Sequence, residues 1–258
     1  MNIIDALLAE LETDAPVRQV LVGAFWTAVV METQPPRCGL ASTLRAESHH
    51  DGPPVRRPGQ LREHSGRELA EWLRSPRILE ASIGMAALNA LLDVDEDSCT
   101  ELNAEEVIVE RGTGKRVAVV GHFPFVPRVR EVASESWVLE LRPRPGDLPA
   151  LHAQEVLPQA DVVALTGTSL LNDTFDDLIA LCRPEAFVVL LGASTPLSPV
   201  LLSRGVDAVS GTVVVDVEAV VRAVGEGATF RQIPGKRLLT MTRLGDCFGP
   251  NGVPRNGE

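Results

Sequence analysis

The run Asp161 to Asp173, DVVALTGTSLLND, constrains this chain more than any other stretch. An apolar, β-branched segment breaks at Thr-Gly-Thr-Ser and is followed by the helical spacing of FDDLIAL, so a strand ends with N–H groups and hydroxyls pointing outward. An open parallel sheet holds its ligand at that end. The same punctuation recurs in VAVVGHF (Val117 to Phe123), VVLLGAST (Val188 to Thr195) and DAVSGT (Asp207 to Thr212). Four strands ending in glycine beside small polar or aromatic residues describe one rim of a sheet and one wall of a site.

The second half of the chain alternates accordingly. Strands are predicted over Arg116 to Gly121, Ser136 to Leu141, Asp161 to Thr166, Ala186 to Gly192 and Ala208 to Gly211. Helices are predicted over Val126 to Ala133, Ala150 to Leu157, Thr174 to Cys182, Pro196 to Ser203 and Val217 to Gly225. Such alternation implies right-handed crossovers and a parallel sheet, hence an α/β Rossmann-like three-layer sandwich. Thr195 before Pro196 reads as an N-cap, and Gly205 and Gly225 sit where helix-ending glycines belong. TFRQI and KRLLTMT read as edge strands.

The first half is organised differently. Asn2 to Glu12 has helical apolar spacing, and VRQVLVGAF, TAVVMET and GLASTL are short runs too close together for crossover helices, so an antiparallel meander is expected. Arg45 to His64 is polar and carries His49, His50 and His64; a solvated loop explains it more simply than a metal site. From Gly66 the pattern is helical, and Leu79 to Leu92 is apolar nearly all round, predicting a buried helix. Gly84 inside it suits close packing, and the amide of Asn89 needs partners, from the backbone or from a ligand. The acidic stretch Asp93 to Arg111 lacks the spacing of a calcium loop and reads as a connection. The expected division is an α+β domain over residues 1–110, the Rossmann-like domain over 111–243 and a disordered tail over 244–258.

With 258 residues and 45% hydrophobic content, the chain can bury a sizeable core. Its net charge of -11 and dispersed basic residues argue against a general nucleic-acid binder. No apolar run is long enough to cross a bilayer and the N-terminus is acidic, so no membrane partner and a soluble, cytoplasmic protein are expected. Cys38, Cys99, Cys182 and Cys247 form no ligand spacing and read as free thiols. A compact chain with several short edge strands is compatible with a homodimer.

At the rim, VGHFPFVPRVR has one glycine, Gly121, where a dinucleotide fingerprint needs three, which disfavours NAD. A Walker A motif is absent. What remains is a set of neutral donors: the hydroxyls of Thr166, Thr168, Ser169, Ser194 and Thr195, and the N–H groups of the loops at Gly121, Gly167 and Gly192. They suit a carboxylate, a phosphate or a polar heterocycle, for which Phe123 offers a ring. Glu140 stands where nucleotide-binding sheets place an acid for ribose hydroxyls. His122 is the histidine expected in the cleft, as hydrogen-bonding residue or as general acid or base. Asn172 follows the glycine turn closely enough to face a ligand. Asp176 and Asp177 are explained by the dipole of the helix they begin.

GLASTL, EASIGMAALNALL, GHFPFV, LRPRPGDLP, LPQADVVALTGTSLLNDT, LLGASTPLSP and GVDAVSGTVVVD together resemble the heavy-metal chelation family, formerly a domain of unknown function. The resemblance runs from about Asp5 to Thr242. It implies an N-terminal domain resembling that of enolase, a Rossmann-like C-terminal domain similar to methyltransferases, and a site between them. Implied roles are heavy-metal chelation, or transferase or hydrolase chemistry on pterin-, flavin- or siderophore-like molecules. The cofactor is left open by the sequence, a transition metal and S-adenosylmethionine, the latter held through Glu140 and the Gly121 loop, being the two candidates. The chain has Gly192-Ala193-Ser194 where the resemblance leads one to expect Gly-Pro-Ser, and Asp173 where a glycine often follows the asparagine in the family. The expected function is binding of a small anionic or metal-chelating metabolite between the two domains, with Asn89, His122 and the rim residues as contacts.

Overall fold

The computed structural model describes residues 1–45 and 52–243. His49, His50, Cys247 and the tail expected over 244–258 lie outside the described residues.

Helix α1 (Ile3–Ala9) starts at Asn2, whose side chain accepts the Asp5 N–H. Strands β1 (Val17–Val22), β2 (Trp26–Met31) and β3 (Arg37–Ser42) then form an antiparallel sheet in that order. Short α2 (Gly66–Ala70) opens with a capping box between Ser65 and Glu68 and leads into α3 (Ile78–Leu91). Helix α3 is buried nearly all round and packs on β2 and β3. Gly84 lets it approach the preceding chain, because a Cβ there would stand 2.4 Å from the Leu73 nitrogen.

The stretch expected as a mere connection holds two elements. Strand β4 (Cys99–Thr100) pairs with the last strand of the chain, and α4 (Ala104–Gly112), capped by Asn103, buries Val107 and Ile108 on the large sheet. Its four acidic and basic residues mask a two-sided pattern too short to stand out in the sequence. There follow β5 (Arg116–Val120), α5 (Val126–Val132), β6 (Glu135–Glu140), β7 (Leu148–Pro149), α6 (Ala153–Val156), β8 (Val162–Thr166) and α7 (Phe175–Leu181). The chain then continues through β9 (Phe187–Leu191), α8 (Pro199–Ser203), β10 (Ala208–Val214), α9 (Val217–Gly225) and β11 (Lys236–Thr242). Helix α8 starts later than expected: Ser198, not Thr195, is its N-cap, and Pro199 fills its first position. TFRQI is a 3-10 turn rather than a strand, closed by a capping box between Thr229 and Gln232.

The large sheet has the order β4-β11-β10-β9-β8-β5-β6-β7, parallel from β10 to β7 and antiparallel at β11 and β4. The protein is thus a mixed α/β fold with a parallel-dominated eight-stranded sheet and a small antiparallel one. Alternation along the central strands divides the core. Val117, Val119, Val162, Ala164, Val189 and Leu191 face the cluster that holds α4 and α5. Ala118, Val163, Leu165, Val188 and Leu190 face the cluster that includes α1, α3, α6 and α7. The small sheet is covered on one face by α3 and on the other by α9, through Ala28, Val30, Leu40, Val220 and Val224. Helix α9 therefore closes the first half of the chain although it belongs in sequence to the second.

At the amino ends of the strands, Asp161 accepts from the Arg116 N–H (3.0 Å) and from the Arg116 and Arg183 guanidinium groups. The Arg116 hydrogen bonds hold this carboxyl far below the ordinary range. Because its folded-state pKa is depressed, the cluster contributes stability above the unfolded value and loses it as pH falls toward the folded one. Asp161→Asn is expected to lower Tm by about 5 °C at pH 7. The gap from the wild type should shrink below about pH 4, as thermal melts at both pH values would show.

Candidate functional site

Strand β5 lies at the middle of the parallel sheet. From it the chain runs outward to β6 and β7 on one side, then returns to lay β8 and β9 on the other. Connections that leave two adjacent strands in opposite directions open a crevice at their carboxyl ends. A pocket of about 380 Å³ fills this crevice. Its floor is Val120, Gly121, Glu140 and Thr166; its walls are the turn after β8, the face of α7 with Asp177, Leu178 and Leu181, and the segment Ala150 to Gln154. Leu141 and Leu151, 71% and 75% exposed, form an apolar lip.

Gly121 makes the floor possible. Its φ of 103° is a conformation that L side chains rarely adopt, and it turns the chain so that His122 and Phe123 enter the pocket. The His122 N–H donates to Glu140 Oε1 at 2.7 Å, and its ring Nδ1 stands 2.9 Å from Asp147 Oδ2. The Asp147 side chain is wholly buried. It also accepts the Arg144 N–H and a hydrogen bond from Arg130 at 3.3 Å. Burial by itself would raise this carboxyl; the His122 ring, the Arg144 N–H and the Arg130 charge outweigh it and hold it below its ordinary value. A carboxylate fixed in this way accepts Nδ1–H and leaves Nε2 of the imidazole for the pocket.

The structure brings together Gly121, His122, Phe123, Glu140, Thr166, Thr168, Ser169 and Asn172 of the expected residues. Much of their hydrogen-bonding capacity is spent locally. Thr166 caps the turn through the Thr168 N–H, and its hydroxyl lies 3.0 Å from that of Thr168. Ser169 Oγ donates to the Thr166 carbonyl. The Asn172 amide, with its NH2 directed at the Thr168 and Ser169 carbonyls, closes the same turn. Asp173 follows at φ 57°, a left-handed conformation that aspartate adopts more readily than most L residues.

The other expected residues stand elsewhere. Gly167 packs against Thr195, and Ser194 and Thr195 are 1% and 2% exposed. Ser194 Oγ accepts the Ser42 N–H at 2.8 Å, so the GAST loop after β9, with Gly192, meets the small sheet instead of lining the pocket. Asn89 donates to the Leu40 carbonyl at 2.9 Å and fastens α3 to β3. Every residue of the pocket lies between positions 120 and 181, so it belongs to the large sheet alone, not to a cleft between the halves. Where such a cleft was expected, Ser42–Ser194, Ile3–Asp176 and Glu10–Ser198 contacts join them.

Three residues of the site escape sequence reasoning. Asp147 comes from the Pro145-Gly146 turn of LRPRPGDLP, whose glycine marks a turn but not its target. Asp177 was explained by the helix dipole, yet it shares a face with Leu178 and Leu181. Gln154 has no sequence signal.

Among the described residues no group of three or more His, Cys, Asp or Glu side chains is placed to hold a metal ion. His64 lies against Trp72 and 3.5 Å from Glu68. Burial pushes the Cys38 thiol up to about 12 and that of Cys182 up to about 11, so neither is a ready thiolate. A second depression, of about 490 Å³ between Arg18 and Arg62, contains no metal donor of these types. The pocket itself holds Glu140 and Asp177 but no lysine or arginine, which disfavours a permanently anionic ligand. No helix of the described residues is long and apolar enough to cross a membrane.

An uncharacterized protein of Methanocaldococcus jannaschii is 26% identical over 223 residues, 82% of this chain and 84% of that protein. A protein of unknown function from Desulfitobacterium hafniense superposes with a TM-score of 0.78 at 26% identity, covering 93% of this chain and 97% of the other. A second such structure, from Pyrococcus horikoshii, gives the same TM-score and coverage at 21% identity and shows the shared fold. Both of these structures carry the family name DUF364. Two family profiles, both described as "Putative heavy-metal chelation", match residues 4–92 and 103–242, the second being DUF364. The chain belongs to this heavy-metal chelation family.

Proposed function

We propose that the protein serves metal chelation by binding an organic chelator, rather than a bare ion, in the pocket at the carboxyl ends of β5, β6 and β8. The observation that carries this reading is the His122–Asp147 pair, a single oriented imidazole in a pocket otherwise lined by carboxylates, hydroxyls, amides and leucines. One imidazole does not make a cage for a metal, and no larger donor set exists among the described residues. Any metal must bring most of its ligands with it. Glu140, Asp177 and the side chain of Gln154 offer acceptors to the N–H and O–H groups in which chelating molecules are rich, while Leu178 and Leu181 cover their carbon skeleton.

Native mass spectrometry of untagged protein, followed by denaturation and identification of released molecules, tests this. The wild type is expected to release an organic molecule that His122→Ala does not retain. Protein that carries stoichiometric metal and no organic molecule would overturn the reading.

A further inference from the structure

Resting on this pocket as the binding site, the structure assigns it a chemical step as well. We propose that His122 takes a proton from the bound molecule through Nε2, with Asp147 as positioning residue, so that a neutral ligand bearing an acidic O–H or N–H is held as its anion. The ligand's O–H or N–H bond breaks, its electron pair stays on the heteroatom, and a bond from Nε2 to the proton forms. Nothing is oxidised or reduced, and the proton leaves to water when the ligand departs.

Three features support the assignment. Nδ1 faces Asp147 at 2.9 Å, so an imidazolium formed at His122 meets a buried carboxylate already in place. That carboxylate is itself held by Arg130 and the Arg144 N–H, and cannot swing away to ligate anything else. The pocket walls add Glu140 and Asp177 and no cationic side chain. Protonating His122 therefore creates the one positive charge that a ligand anion would meet there, and it arises only when the proton has moved. Among the charged groups around the ring, Glu140 accepts the His122 N–H, and Arg130 on α5 binds the Asp147 oxygen that the ring does not.

The test uses 4-nitrophenol, whose ionisation is visible in its absorbance, and its methyl ether, which has no proton to give. Amide NMR of the full chain reports whether each enters the pocket, through shifts at Thr168, Asn172 and Asp177. The bound phenol is expected to ionise about tenfold more readily than the free one, an effect lost in His122→Gln and weakened in Asp147→Asn. The ether reports how far the pocket fills in the wild type and in His122→Gln, so that ionisation of the phenol is compared at matched saturation. If neither molecule perturbs the pocket, the binding reading fails. If both bind but the phenol ionises equally in wild type and His122→Gln, the proton-transfer step is wrong and the binding reading stands. Thermal melts of the variants separate loss of fold from loss of chemistry, since misfolding does not reproduce a selective change in the ionisation of a bound phenol.

Discussion

Replacing Phe175 with alanine is expected to cost about 4 kcal/mol and to empty the pocket well below the temperature at which the wild type unfolds. Phe175 is the first residue of α7, is 1% exposed, and is among the largest fully buried side chains. It sits in the core cluster shared by α1, α3, α6 and β8, so the cavity left by truncation has rigid walls on several sides and little freedom to collapse. The same helix carries Asp177, Leu178 and Leu181 into the pocket, and its Asp176 accepts the Ile3 N–H at 3.2 Å. Losing the anchor therefore loosens one wall of the site and one joint to the first helix together. Phe175→Leu keeps most of the volume and should cost about 1 kcal/mol. Urea unfolding of both variants, read beside the NMR shifts of Asp177, checks the two parts; an alanine variant as stable as the leucine one would contradict the packing argument.

Gly39→Ala is expected to destabilise by about 3 kcal/mol, although it adds one methyl group. A Cβ on Gly39 would stand 2.1 Å from the Ala86 carbonyl oxygen and 2.4 Å from the Ala90 nitrogen. Both are backbone atoms of α3, so no rotamer change relieves the contact and the helix must move off β3. That movement also stretches the Asn89 to Leu40 hydrogen bond. Asn89→Ala alone should cost about 1 kcal/mol, and the double variant less than the sum, because the first change has already weakened what the second removes. Additive effects in denaturant titrations would show that the two contacts are independent.

These two residues also show what sequence reasoning reaches. The alternation of strand and helix patterns placed five parallel strands, and the glycines after β5, β8 and β9 marked their carboxyl ends, whereas Gly211 lies inside β10; β-branched runs and turn glycines act locally, and period-2 burial leaves its mark within a few residues. Gly84 was legible as a packing glycine because it interrupts an apolar helix. Gly39 was not, since the atoms that exclude its Cβ lie almost fifty positions away on α3. Ser194 and Thr195 read as a ligand cradle, yet Ser194 is buried against the small sheet and Thr195 against Gly167 and Gly211, because a hydroxyl that fills an interface and one that meets a ligand look the same in sequence.

The α/β alternation, the meander before it, the buried α3 and the place of His122 just past the end of β5 all follow from local pattern and residue chemistry. The order of the strands around β5, the placing of α9 on the small sheet and the meeting of His122 with Asp147 do not. Each depends on contacts between residues tens of positions apart, whose free energy comes from surfaces and charges brought together only when the sheet closes. A turn such as Arg-Pro-Gly-Asp specifies its own backbone and leaves open what its carboxylate will face. Here the return of the chain at the switch point turns that carboxylate toward an imidazole and makes a loop acid part of the site.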